Sequence, residues 1–169
     1  MIDPADESTR AVLRQLAATL AYRAAKVLRD VPPSFATYSI SPSARPAVQI
    51  VAHMADLMRW GTWLARGEHT WKADGSDDWQ REVDRFFSGL AELDALIAAA
   101  TFSGSVEKLI QGPFADALTH VGQLSMMRGA AGIPVRPESY ARADILVGRV
   151  GLDQPAPEAE FDGDASKRS

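Results

Sequence analysis

Apolar residues recur at intervals of three and four along most of this chain and almost nowhere in strict alternation. That period marks a helix with one buried stripe rather than a half-buried strand. Four long segments carry it. The first is expected from 5 to 29, with Asp3 as cap, Pro4 in the first turn, and Val12, Leu13, Leu16, Leu20, Ala24 and Val27 as its stripe. Val31-Pro32-Pro33 ends it, because a residue that precedes proline is pushed out of the helical region. The second is expected from 44 to 65, capped by Ser43, with Pro46 still inside the first turn where a missing N–H costs little. Its stripe runs Ile50, His53, Met54, Leu57, Gly61 and Leu64.

A polar loop follows from 67 to 75, and Ser76 is expected to cap the third helix, with Asp77 and Asp78 complementing the dipole of its first turn. Trp79, Val83, Phe86, Leu90, Leu93 and Ile97 form the third stripe. The fourth helix is expected to start at Gly112-Pro113 and run to about Ala131, where Gly132 and Pro134 stop it. A short fifth helix is expected between Pro137 and Gly148. Four amphipathic helices of these lengths can close one core as an all-α, antiparallel four-helix bundle. The link from 31 to 43 is long enough to cross over it. No internal repeat or low-complexity tract interrupts the pattern.

Composition narrows the class. A length of 169 residues with 46% hydrophobic content suits one domain around one core. The net charge of −4 offers nothing to nucleic acid or an anionic membrane. No apolar run is long enough to cross a bilayer. The acidic N-terminus lacks the basic and apolar regions of a signal peptide, so a cytoplasmic location is expected. Residues 151–169 hold five acidic against two basic residues and only Leu152 and Phe161 as larger apolar groups. They are expected to form a flexible acidic tail behind a domain spanning 1–150. With no cysteine, disulfides, thiolate-ligated zinc and a cysteine nucleophile are excluded, and any thiol must come from a cosubstrate.

Three residues sit oddly in a plain core. His53 lies on an apolar stripe, where imidazole is tolerated if its nitrogens find partners. Asp116 and His120, four apart on the fourth helix, emerge from one face at the edge of its stripe. A structural Asp–His hydrogen bond explains that pair without a metal. Taken with His53, the alternative is a site: two histidines and a carboxylate from two helices suit zinc, nickel, iron or manganese and leave positions open.

The segment Pro113-Phe-Ala-Asp-Ala-Leu-Thr-His-Val-Gly-Gln-Leu resembles the last-helix motif of the DinB/YfiT-like superfamily, with His120-Val121-Gly122-Gln123 matching its second half. Gln49-Ile-Val-Ala-His-Met-Ala-Asp56 is similar to that family's helix-two histidine motif, and Trp79-Gln-Arg-Glu-Val-Asp-Arg-Phe-Phe87 to the third helix of one subgroup. The similarity covers roughly residues 5 to 150. It implies a four-helix bundle with a divalent metal on His53, Asp116 and His120, zinc or nickel first, then iron or manganese. Asp116 departs from the commonest pattern, since many members carry a ligand histidine there, while mycothiol-dependent maleylpyruvate isomerases carry a zinc-binding glutamate. The carboxylate therefore either ligates directly, binds through water, or orients His120.

The resemblance further implies a metal-dependent hydrolase or a transferase using a low-molecular-weight thiol such as bacillithiol or mycothiol, acting on a small molecule. A non-catalytic metal-binding or dimerising bundle is the alternative within the same family, and a homodimer suits either. Among other residues, His69 is expected in an exposed loop. Trp60, Trp63, Trp71 and Trp79 are expected to form a satellite cluster rather than a base-stacking platform, since no basic groove accompanies them. Arg128 reads as a solvated helix-end arginine, and Tyr140 as a residue able to fold over the site from the fifth helix.

Overall fold

The computed structural model describes Asp3 and residues 6–161, and every regular element among them is helical. α1 spans Glu7–Leu28, α2 Ala47–Ala65 and α3 Trp79–Ala98. α4 (Val106–Leu109) leads through a π turn (Ile110–Phe114) into α5 (Ala115–Ala130). The only strand-like feature among the described residues is an isolated bridge between Glu138 and Glu160. No helix among them is long and apolar enough to cross a membrane.

Each helix starts where its local chemistry supplies a cap, and this moves several expected boundaries. α1 is capped by Asp6, not Asp3: its carboxylate accepts from the Thr9 N–H at 2.9 Å, while Pro4 lies outside the described residues. α2 begins after Pro46, which occupies the cap position itself, so the turn from Ser43 never becomes helical. α3 is capped by Asp78, which accepts from the Arg81 N–H at 3.1 Å, and not by Ser76. Ser76 instead binds the fully buried Glu82 through its N–H at 2.9 Å and its hydroxyl at 2.7 Å.

The fourth expected helix begins earlier than its proline suggested. Val106 starts the helical run, capped by the Ser105 hydroxyl, and Pro113 lies inside it. Proline normally breaks a helix because it lacks an N–H and its ring collides with the carbonyl four residues back. The wide π turn at Ile110–Phe114 accommodates the ring, and the run continues into α5.

α2 packs chiefly on α3 and also meets α5, while α1 meets α3 and α5. The α2–α3 contact is close because of two glycines. A Cβ on Gly61 would stand 2.9 Å from Leu93 Cδ2, and one on Gly89 2.9 Å from Met58 Cβ. α1 carries small residues into the interior (Ala17, Ala18, Ala21, Ala24, Ala25), all fully buried, whereas Val12 of its expected stripe is exposed. Phe35, Phe86, Phe114, Leu20, Leu57 and Leu93 fill the common core.

The chain after α5 does not behave as expected. In place of a fifth helix there is one 3₁₀ turn, Tyr140–Arg142, in an otherwise irregular segment. Nor does the fold end at 150. Gln154 and Ala159 are buried, and Arg29 donates to the Gln154 carbonyl at 3.0 Å. Glu138 is wholly buried: it accepts from the Tyr22 hydroxyl at 2.6 Å and the Lys26 ammonium at 2.6 Å, and that ammonium also binds Glu160 at 2.7 Å. Residues 151–161 are therefore a strap docked on α1 by a buried ion cluster, contrary to the expected free tail. Residues 162–169 of that expected tail lie outside the described residues.

Candidate metal centre

His53 on α2 and Asp116 and His120 on α5 converge. Each presents one ligand atom, and the three atoms lie within 4.8 Å of one another. Asp116 sits between the two imidazoles: Oδ2 is 3.4 Å from His53 Nε2, and Oδ1 is 3.3 Å from His120 Nε2. The rings stand perpendicular, 5.0 Å apart between centroids.

Helix geometry explains the meeting. The four-residue spacing stacks Asp116 and His120 on one face of α5. That face turns toward α2, which places His53 opposite them.

These distances bear on both readings of the Asp–His pair. Good N–H···O bonds fall at about 2.7–3.2 Å, so 3.3 and 3.4 Å are long for a purely structural contact. Donors about 2.0–2.1 Å from a tetrahedral ion, however, lie roughly 3.3–3.4 Å from each other. Here Asp116 uses both oxygens, Oδ2 toward His53 and Oδ1 toward His120, and one ligand atom from each residue lies within 4.8 Å of the others, close enough for the three to hold one ion. The donor chemistry agrees as well, because imidazole nitrogen and carboxylate oxygen together suit a borderline divalent cation.

One residue beyond the triad sharpens the assignment. Gln123 Oε1 lies 2.7 Å from His120 Nδ1. A carbonyl oxygen can only accept, so Nδ1 donates, and in the neutral imidazole that leaves the lone pair on Nε2, on the Asp116 side. Gln123 follows His120 within the His-Val-Gly-Gln motif, so this positioning contact was readable as a spacing before it was visible as a bond.

His53 is half-buried, and its pKa is lowered from 6.5, first by burial, then by the neighbouring His120. Asp116 opposes that shift and Arg45 adds slightly to it. At neutral pH the imidazole is therefore neutral, the form that binds a metal. The site is not closed: the Asp116 side chain is 43% exposed and that of His53 25%.

The loop between α2 and α3 partly covers it. Trp71 lies 5.7 Å from the His53 ring and packs edge-on against Trp60, which also meets His69. Asp56 and Glu82 secure the base of this loop. Asp56 accepts from Arg85 at 2.6 Å and from the Asp74 N–H at 3.2 Å, and Arg85 also bonds Glu82.

The remaining expected residues fall elsewhere. His69 is exposed, as expected. The tryptophans do not form one cluster, since Trp63 stacks with Arg59 and Trp79 packs on Phe35. Tyr140 does not fold over the triad; it packs on α1 against Tyr22 and under the Arg23 guanidinium. Arg128 is buried rather than solvated. It donates to the carbonyls of Val27 at 3.2 Å, Arg29 at 2.9 Å and Ile133 at 3.0 Å, closing the C-terminal end of α1. Against known proteins, no family model, no curated sequence and no solved structure matches the chain.

Proposed function

We propose that this protein is an antiparallel four-helix bundle of the DinB/YfiT-like type. In this reading it holds one divalent ion, zinc or nickel, on His53, Asp116 and His120, and acts as a hydrolase or thiol-dependent transferase on a small molecule. The observation that carries this reading is the convergence of three potential ligand atoms within 4.8 Å of one another beside open solvent. The quartet of long helices and their mutual contacts support the bundle.

A divalent cation there supplies Lewis acidity, polarising an acyl or phosphoryl oxygen and bringing a water or thiol toward its deprotonated form near neutral pH. The chain's own residues prepare that chemistry. Burial keeps His53 neutral and available, and Gln123 fixes the tautomer of His120. Asp116 supplies the negative charge that two neutral imidazoles lack, and Trp71 excludes water from one side of His53. The exposed edge of Asp116 leaves coordination positions for reactants, which a site that only staples helices would fill with protein ligands.

Metal analysis of untagged protein tests this, followed by a screen of ester hydrolysis and of transfer from bacillithiol or mycothiol, with chelation and metal add-back. Stoichiometric, exchangeable metal and chelator-sensitive turnover are expected. Zinc bound no more tightly than by a His53→Ala/His120→Ala double variant would end the reading. Asp116→Ala is expected to weaken zinc binding about 100-fold, as much as loss of a histidine, since Asp116 spans both imidazoles. A far smaller loss would place it behind a water.

A further inference from the structure

Beside the triad lies a cavity of about 320 Å³ that the metal reading leaves unused. His120 and Gln123 form one wall, so the cavity and the metal centre share a side chain. Its other walls are apolar: Ile50, Met127, Ile40 and Met126. The last two are strongly exposed, 51% and 59%, so that side of the cavity is open to an entering ligand. No carboxylate lines this cavity.

Arg45 stands on its rim and also lines the adjoining polar cleft that reaches His53. It is exposed, and it makes no ion pair and no side-chain hydrogen bond among the described residues. Three arginines of the packed core are by contrast committed: Arg14 to Asp94, Arg85 to Asp56 and Glu82, Arg128 to backbone carbonyls. Arg45 is thus an uncommitted cation between an apolar cavity and a candidate metal centre.

We infer that this cavity binds a small carboxylate with a compact alkyl or aryl body, its carboxylate on Arg45 and its apolar body against Ile50 and the two methionines. A single guanidinium offers one planar fork, which matches one carboxylate in bidentate fashion. A phosphate dianion would call for more cationic groups than the one present. The two methionines are flexible and polarisable, so the pocket adapts to tails of differing shape. Its volume lies at the lower end of the roughly 300–1,000 Å³ of small-molecule sites, which excludes bulky or polymeric ligands. The inference rests on the proposed function for its place in a reaction, since a ligand held this way lies next to His120; recognition of the acid does not need the metal.

The test is calorimetric titration of the full-length chain, zinc-free and zinc-loaded, with octanoate and with 1-octanol as the uncharged probe. Octanoate is expected to bind both forms more tightly than octanol. Arg45→Gln, an exposed change that leaves the core untouched, should weaken octanoate about tenfold or more and octanol by less than twofold. Met126→Glu, at the exposed mouth, should weaken octanoate similarly by placing a carboxylate near it. Failure of octanoate to bind, equal binding of the two probes by the unaltered chain, or octanoate affinity unchanged in Arg45→Gln would each overturn the inference. Zinc titration of the same proteins separates the two readings. Arg45-dependent octanoate binding without zinc binding would fell the metal reading alone, and zinc binding without octanoate binding would fell this one alone.

Discussion

Two polar clusters join segments distant in sequence, and they are built on opposite rules. In the clamp on α1, Tyr22, Lys26, Glu138 and Glu160 meet at 2.6–2.7 Å, and Glu138 is shut off from solvent. Every charge there has an opposite charge or a donor within reach, so nothing is left to bind a further group. In the triad, His53, Asp116 and His120 approach only to 3.3–3.4 Å, and Asp116 stays partly open. The clamp is saturated and the triad is not. Buried polar groups that satisfy one another hold a structure together. Groups that converge without saturating one another, as in the triad, leave donor capacity over for a further partner, which is what the proposed metal would use.

The strongest test of this contrast removes one member of each cluster. Glu138→Ala should destabilise the fold by roughly 3 kcal/mol, because it leaves the Lys26 ammonium buried with Glu160 as its one remaining carboxylate. Thermal unfolding should show a Tm lower by roughly 6–12 °C in a protein of this size. A change within error would mean that the strap contributes no stability. His53→Ala or His120→Ala should do the reverse. Each is expected to change the stability of the metal-free protein by less than about 1 kcal/mol, yet weaken zinc binding about 100-fold or more. A large loss of stability with unchanged metal affinity would erase the distinction between the clusters.

A smaller effect is expected at Gln123, which contacts His120 and no metal. Gln123→Ala should lower zinc affinity about tenfold and Gln123→Glu should restore or exceed it, since a carboxylate also accepts from Nδ1. Equal affinities in all three proteins would show that the ring needs no such support.

The smallest effect concerns acid. With its folded pKa lowered from 6.5, His53 binds a proton less readily in the fold than in the unfolded chain. The metal-free fold should therefore lose stability as pH falls below about 6.5, until the folded group titrates too. His53→Gln should remove that share of the slope and leave stability above pH 7 unaffected by it. Denaturant titrations of both proteins between pH 5 and 8 measure it, and parallel curves would contradict the assigned environment of the ring.

How much of this was legible in the sequence follows from how local the causes are. Apart from the half-buried His53 and Trp79, the helical stripes of α2 and α3 are buried as their spacing foretold, since amphipathic periodicity is a property of a few consecutive turns. The triad was legible because two of its members share one helix face and the third breaks an apolar stripe. Arg128 was misread because its partners, the α1 carbonyls, lie 99 to 102 residues away, and nothing near position 128 announces them. The strap was misread for the same reason. Acidic residues near 160 look like a solvated tail until Lys26 is placed beneath them. Gly112-Pro113 signalled a helix start by ordinary rules, and the π turn that absorbs the proline has no simple sequence mark.

The clamp also sets an order of events during synthesis. Lys26 leaves the ribosome 112 residues before Glu138 and 134 before Glu160. At about 5–20 residues per second, its ammonium waits roughly 6–27 s for the carboxylates that will enclose it. Until then α1 can carry that charge only at a water-facing surface, so its C-terminal half cannot reach its final burial. The first of these helices to be made is therefore among the last of them to be finished, and the nascent chain keeps a charged, alanine-rich helix within reach of solvent and chaperones until the strap arrives.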